Sequence, residues 1–156
     1  MNDALEYREL KTALGAVGIS KEDIHEIFRV VASVMWLGNV SFVEDEDGDN
    51  AAAVSCTGKE ALETSAKLLG TTPEMLEKSL VTRKIIAGGE SITQRLNAVQ
   101  AADGRDALAK AIYAALFEWL VVQINASFAK VGGGLTYSLT VHVLDVTVTV
   151  DADVWA

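Results

Sequence analysis

Arg105–Phe128 reads RDALAKAIYAALFEWLVVQINASF. Leu108, Ile112, Leu116, Trp119 and Leu120 recur at helical spacing and line one face, while Tyr113, Phe117 and Val121 load the other. A helix that is apolar nearly all round has to be buried on several sides. The spacing therefore predicts the central helix of the domain, with Asn97 and Asp103 as successive caps ahead of it. Its residues set the fold class: mainly α with small β elements. The expectation is a helical subdomain around one long central helix, with two short hairpins and a C-terminal strand or hairpin. The chain has 156 residues, one domain's worth and long enough to bury a core.

Upstream of that helix, the punctuation is clear. Glu6–Val17 reads as a first helix stopped by Gly18. Ser20 caps a second, with Asp23 as its acidic partner, and Ile24, Ile27, Phe28, Val31, Val34 and Met35 form its apolar face up to Gly38. Val40–Val43 is a short strand, residues 44–50 an acidic turn, and Ala53–Cys56 the returning strand. Thr57 and Glu60 match a capping box for a helix ending at Gly70. Thr72-Pro73 opens another helix, proline at its first position, with Leu76 and Leu80 as its buried residues. Arg83–Ala87 and Glu90–Leu96 flank Gly88-Gly89 and predict a second hairpin.

Downstream the texture changes. Gly132-Gly133-Gly134 is a link without the lysine that a phosphate-binding loop requires. Leu139–Val143 and Val146–Val150 alternate with period two, so residues 139–156 form a strand-rich tail. The run 139–150 carries one charge, Asp145, and no proline, which favours association. Such a tail needs a partner: another strand of the same chain, such as Val40–Val43, or the same tail in a second molecule.

Thirteen basic residues face 22 acidic ones, for a net charge of −9. No positive field exists to replace phosphate counterions, which argues against nucleic acid as a partner. A single cysteine, Cys56, precludes an internal disulfide and a cysteine-based zinc site. The most apolar stretch, Ala111–Ile124, is interrupted by Glu118 and Gln123, and no membrane span or signal peptide is expected. The expected location is the cytoplasm.

Candidate chemistry is sparse, and no cofactor or metal is expected. Asp45, Asp47 and Asp49 alternate as calcium ligands do, but Gly48 falls at the fourth loop position instead of the sixth, and Cys56 stands where the bidentate glutamate belongs. A solvated acidic turn fits better. His25 reads as a surface or boundary residue and Cys56 as a small buried hydrophobe on a hairpin strand. Ser138, His142 and Asp145 cannot converge from one regular strand, because Asp145 points away from the other two. Arg83, Lys84 and Arg95 make the second hairpin locally basic in an acidic chain.

Five blocks in sequence order resemble the myosin motor domain. Val34-Met35-Trp36-Leu37-Gly38-Asn39-Val40-Ser41-Phe42 is similar to its "LHLGNIxF" helix and strand. Leu68-Leu69-Gly70 with Leu76 and Leu80 resembles the helices that follow. Thr82-Arg83-Lys84 through Glu90-Ser91-Ile92 resembles the hairpin called the cardiomyopathy loop. Arg105-Asp106-Ala107-Leu108-Ala109-Lys110 through Ile124-Asn125 resembles its most recognisable helix, and Val143-Leu144-Asp145 the opening of switch II.

The resemblance implies the part of the upper 50-kDa subdomain between switch I and switch II. It makes actin the possible partner, contacted through Arg83, Lys84, Ile85, Glu90 and Ile92, and makes Asp145 a switch II remnant. The family continues D-I-x-G-F-E after that aspartate. Here Val148 stands in place of the glycine whose amide approaches the γ-phosphate, and Val150 in place of the glutamate that pairs with a switch I arginine. No G-x-x-x-x-G-K-[ST] occurs in the sequence. The expectation is a non-catalytic scaffold: an excised motor segment with a rewritten tail and no ATPase activity of its own. The alternative is an actin-binding module that keeps weak filament contact through the Arg83–Ile92 hairpin.

Overall fold

Helix ends fall where side chains or glycine can satisfy the backbone groups that a helix leaves open. The computed structural model describes residues 2–44, 50–87, 90–131, 140–143 and 146–149. Helix α1 spans Asp3–Ala16, starting three residues earlier than expected because the Asn2 side chain accepts from the Leu5 amide. Gly18, at φ +87°, follows its end. Helix α2 spans Lys21–Leu37, and Ser20 caps it by accepting from the Asp23 amide at 3.0 Å. The Asp23 carboxylate accepts from the Ser20 hydroxyl at 2.8 Å, so the acidic partner meets the capping side chain itself.

Strand β1 (Phe42–Glu44) pairs antiparallel with β2 (Ala52–Val54), Val43 opposite Ala53. Both strands are shifted from the expected Val40–Val43 and Ala53–Cys56. Val40, fully buried, lies in the turn before β1. Cys56 is exposed and opens a single 3₁₀ turn, Cys56–Gly58. The expected Thr57–Glu60 capping box does not form. Ser55 caps the turn by accepting from the Gly58 amide at 3.1 Å, and Thr57 is held by hydroxyl contacts with Ser55 and Ser41.

Helix α3 (Lys59–Leu69) ends on Gly70 at φ 72°, a left-handed conformation. Helix α4 (Pro73–Val81) is capped by Thr72, with proline in its first turn and Leu76 and Leu80 buried, as the sequence predicts. The Glu74 carboxyl in that turn lies below its ordinary pKa, chiefly through its own backbone amide and then the Thr72 hydroxyl. Strands β3 (Thr82–Ala87) and β4 (Glu90–Arg95) form the expected antiparallel hairpin.

Helix α5 runs unbroken over Ala98–Val131. It starts at Asn97, whose side chain accepts from the Gln100 amide at 2.8 Å while the Gln100 side chain accepts from the Asn97 amide at 3.2 Å. Asp103 therefore lies inside the helix and is not a second cap. This continuity makes Ala98–Ala129, by length and composition alone, long and apolar enough to cross a membrane.

The chain divides into two compact units, Ser20–Trp119 and a smaller one of Met1–Ile19 with Leu120–Ala156. In the larger unit, Leu37, Val40, Val54, Leu62, Ala66, Leu76 and Leu80 form the core, with Phe42, Leu108, Ala109 and Ile112 packed against it. Arg105 donates to the Val40 carbonyl at 2.6 Å and so fastens α5 to the turn before β1. Burial of α5 on several sides is not found among the described residues of this unit. Tyr113 and Phe117 are exposed, at 56% and 37%. On α2 the buried set is Ile24, Ile27, Ser33 and Leu37, whereas Met35 is exposed. The inward position falls to Ser33, fully buried, whose hydroxyl donates to the Val30 carbonyl at 2.7 Å.

In the smaller unit, α1 buries Leu14 and exposes Leu5, Tyr7 and Leu10. The tail forms β5 (Thr140–Val143) and β6 (Val146–Thr149), which pair antiparallel with each other as a two-stranded sheet. Within the chain, the tail therefore pairs with its own second half and not with Val40–Val43. A close hairpin costs less loop-closure entropy than a pairing a hundred residues away. Leu139, Asp145 and Val150 lie outside the described residues.

Candidate partner-binding hairpin

The β3–β4 hairpin grows directly out of the core. Thr82 takes an extended backbone at the end of α4, and its hydroxyl donates to the Lys78 carbonyl at 2.7 Å. Where the returning strand ends, the Leu96 amide donates to the Val81 carbonyl at 2.9 Å and the Leu96 carbonyl accepts from the Ala52 amide at 2.7 Å. Asn97 then starts α5. The base of the arm is thus tied to α4, to β2 and to the cap of α5.

Beyond that base, nothing covers the described residues of the arm. Residues 83–86 and 91–95 are exposed, and Ile86, Ile92 and Ile85 are 81%, 51% and 37% accessible. A two-stranded sheet buries too little to be stable by itself, so the pinned base is what holds the arm out.

The register sorts the side chains between two faces, since directly opposed residues share a face and neighbours along a strand alternate. Arg83 faces Gln94, Ile85 faces Ile92 and Ala87 faces Glu90. On the other face, Thr82 meets Arg95, Lys84 meets Thr93 and Ile86 meets Ser91. Arg83 also donates to the Gln94 side chain at 2.9 Å. Of the five residues expected to contact a partner, Arg83, Ile85 and Ile92 share one face and Lys84 is placed on the opposite one; the Glu90 side chain lies outside the described residues. The sequence reading missed Ile86 and Gln94. Their strand alternation was the available signal, because Ile86 falls two residues after Lys84 and Gln94 two after Ile92.

The other candidates remain apart. His25 is exposed on α2, next to Glu26, which forms an ion pair with Arg29. Asp45, Asp47 and Asp49 lie outside the described residues, as do Ser138 and Asp145. Among the described residues, no group of three or more metal-ligating side chains converges. A shallow pocket in the smaller unit is lined by residues 16–19 with Gln123, Ala126 and Ser127. It offers an amide and a hydroxyl, and the Ser127 hydroxyl already donates to the Ile124 carbonyl at 2.9 Å.

Comparison with known proteins places these elements. The family model of the myosin head (motor domain) matches residues 1–148, and so extends past Asp145 to Val148. Myosin-14 of Arabidopsis thaliana is 43% identical over 130 residues, covering 83% of this chain and 9% of that protein. Myosin-5 of Candida albicans is 37% identical over 151 residues, covering 94% of this chain and 11% of that protein. Unconventional myosin-Ic of Mus musculus is 39% identical over 130 residues, covering 83% of this chain and 12% of that protein. The chain thus spans about a tenth of the length of these curated relatives. On the strength of a match through all but its last eight residues, the chain belongs to the myosin head (motor domain) family.

Proposed function

We propose that this chain is a non-catalytic scaffold segment of a myosin motor, whose packed helices hold out the β3–β4 hairpin as a contact arm for actin filaments. The observation that carries the reading is the arm itself, pinned at Val81, Leu96 and Ala52 and exposed on both faces. It unites basic and apolar side chains in an otherwise acidic protein. Three cations and one acid fall within Thr82–Arg95, against a net charge of −9 for the whole chain.

The non-catalytic half of the reading rests on the sequence. It has no G-x-x-x-x-G-K-[ST] loop to cradle phosphates, and Val148 and Val150 stand where the family has glycine and glutamate. A valine side chain obstructs the backbone approach that a phosphate needs.

Titration calorimetry with magnesium-ATP is expected to show no binding, and micromolar affinity would overturn the non-catalytic assignment. One arm supplies far less than the roughly 1,200–2,000 Å² of a stable interface, and net negative charge opposes approach to an acidic filament. Co-sedimentation should therefore be absent at micromolar filament and physiological salt. It should emerge at low salt with filaments at about 50 μM, the range for a contact worth about 6 kcal/mol. Failure to pellet even there would remove the contact-arm reading.

A further inference from the structure

We infer that the arm pairs with the arm of a second copy of this chain, edge to edge along β4, about a two-fold axis at Thr93. The filament reading plays no part in this inference. The backbone supplies the template. The Leu96 amide donates to the Val81 carbonyl at 2.9 Å, which makes 81 and 96 a hydrogen-bonded pair of the ladder. Antiparallel pairs alternate between bonded and unbonded. Arg83–Gln94 and Ile85–Ile92 are therefore bonded pairs, whereas Lys84–Thr93 and Ile86–Ser91 turn their amides and carbonyls outward. The hairpin is a two-stranded sheet, so each strand keeps an open edge. Lys84 and Ile86 display theirs along β3, and Ser91 and Thr93 along β4. These four residues are exposed, and their backbones bond to no described residue. Unpaired groups of this kind are a template for pairing with another chain.

Side chains decide which edge is used and by what. Strand β3 carries two adjacent cations, Arg83 and Lys84. Pairing β3 with itself would set four cations along one seam, and opposed like charges are destabilising. From Ser91 to Gln94, β4 carries no charge and no proline, and so lacks both of the residue types that commonly guard an edge. Residues with outward backbones on one strand have to meet residues with outward backbones on the other. An antiparallel axis at Thr93 meets this requirement, because Thr93 then faces the Thr93 of the second copy and exchanges both backbone bonds with it. Ile92, 51% exposed, faces Gln94 of the second copy and is covered by its aliphatic stem. The same short segment supplies both halves of the seam, which selects a second copy as the occupant. The product is a four-stranded sheet in the order β3-β4-β4-β3, with the cations of β3 on its outer strands. Ile85 and Ile92 share a face, so pairing brings four isoleucines to one side of that sheet. Three or more strands with an apolar face can be stable where a lone hairpin is not.

The seam is short, so the dimer is weak, with a dissociation constant of about 100 μM. Sedimentation equilibrium of the full chain between about 20 and 500 μM should show a monomer–dimer equilibrium. Thr93→Lys sets like charges directly opposite at the axis and should weaken association about tenfold. Lys84→Glu lies on an outer strand and should change it less than about twofold. Equal melting temperatures establish that the variants are folded. Disulfide capture gives a second measurement, made in a Cys56→Ser background. Bonded partners in an antiparallel pair have Cα atoms about 5.5 Å apart, within reach of a disulfide. Thr93→Cys should therefore yield a linked dimer under mild oxidation, and Lys84→Cys should not. A chain that stays monomeric throughout overturns the inference. So does a dimer indifferent to Thr93→Lys, which is the result if tail strands pair between molecules, and so does linkage through position 84 in place of 93. None of these results bears on the filament reading, which stands or falls by pelleting.

Discussion

Gly58 is where a single side chain would do the most damage. A Cβ built there would stand 2.7 Å from the Ser41 backbone nitrogen and 2.9 Å from its carbonyl oxygen. Neither backbone atom can yield as the end of a flexible side chain could. The closeness comes from the Ser41–Ser55 hydroxyl contact at 2.5 Å and the Gly58 amide bonded to Ser55, which draw the 3₁₀ turn onto the chain before β1. Gly58→Ala is expected to destabilise the protein by about 1–3 kcal/mol, seen as a lower urea midpoint with an unchanged slope. An unchanged midpoint would show that the turn moves aside freely. The sequence reads Ser55-Cys56 as the end of a strand and Thr57 as a helix cap, whereas the structure makes Ser55 the cap of a 3₁₀ turn. Ser55 and Thr57 are equally able acceptors, and only the position of Ser41 distinguishes them.

Among the elements, α5 depends most on how it begins. Asn97 and Gln100 satisfy one another's backbone amides, and the helix then runs to Val131 through Asp103 and Gly104. Asn97→Ala should cost about 1 kcal/mol, within the range of cap removals. Native-state hydrogen exchange should show the loss as weaker protection in the first turns of α5. Uniform loss along the whole helix would argue that the cap is not a local device. Asp103 looked like a second cap because aspartate before an apolar run is a normal start signal. A preceding turn already in helical register overrides that signal. The hairpin was easier to read, since a diglycine link between two β-prone runs leaves little choice of pairing. The exposure of both its faces was not legible, because period-two alternation states only that two faces exist.

For the molecule as a whole, Arg105 ties together parts of the chain that lie far apart in sequence. Its guanidinium, near Asp106 at 2.7 Å, donates to the carbonyl of Val40, sixty-five positions away. Val40 is fully buried, so losing the donor leaves its carbonyl unpaired. Arg105→Met keeps the aliphatic stem and removes the donor, and should lower stability by about 1–3 kcal/mol. Thermal unfolding followed by circular dichroism checks this, and no shift would mean that water replaces the guanidinium. Ser65, fully buried and without a hydrogen-bond partner for its hydroxyl among the described residues, is a smaller polar cost in the same unit.

The sequence by itself determined the identity and order of the helices, the two internal hairpins, the glycine stops at Gly18 and Gly70, and the family. These follow from local rules: hydrophobic period, capping side chains and left-handed glycine backbones act within a few residues of one another. Tertiary structure alone decided that Ser33 takes an inward position while Met35 stays in solvent. It also decided that Cys56 lies outside its strand and that the tail strands pair with each other. Each of these depends on which surface arrives against an element from elsewhere in the chain, or on strand register. A shift of one residue in either reverses the outcome without changing the local pattern.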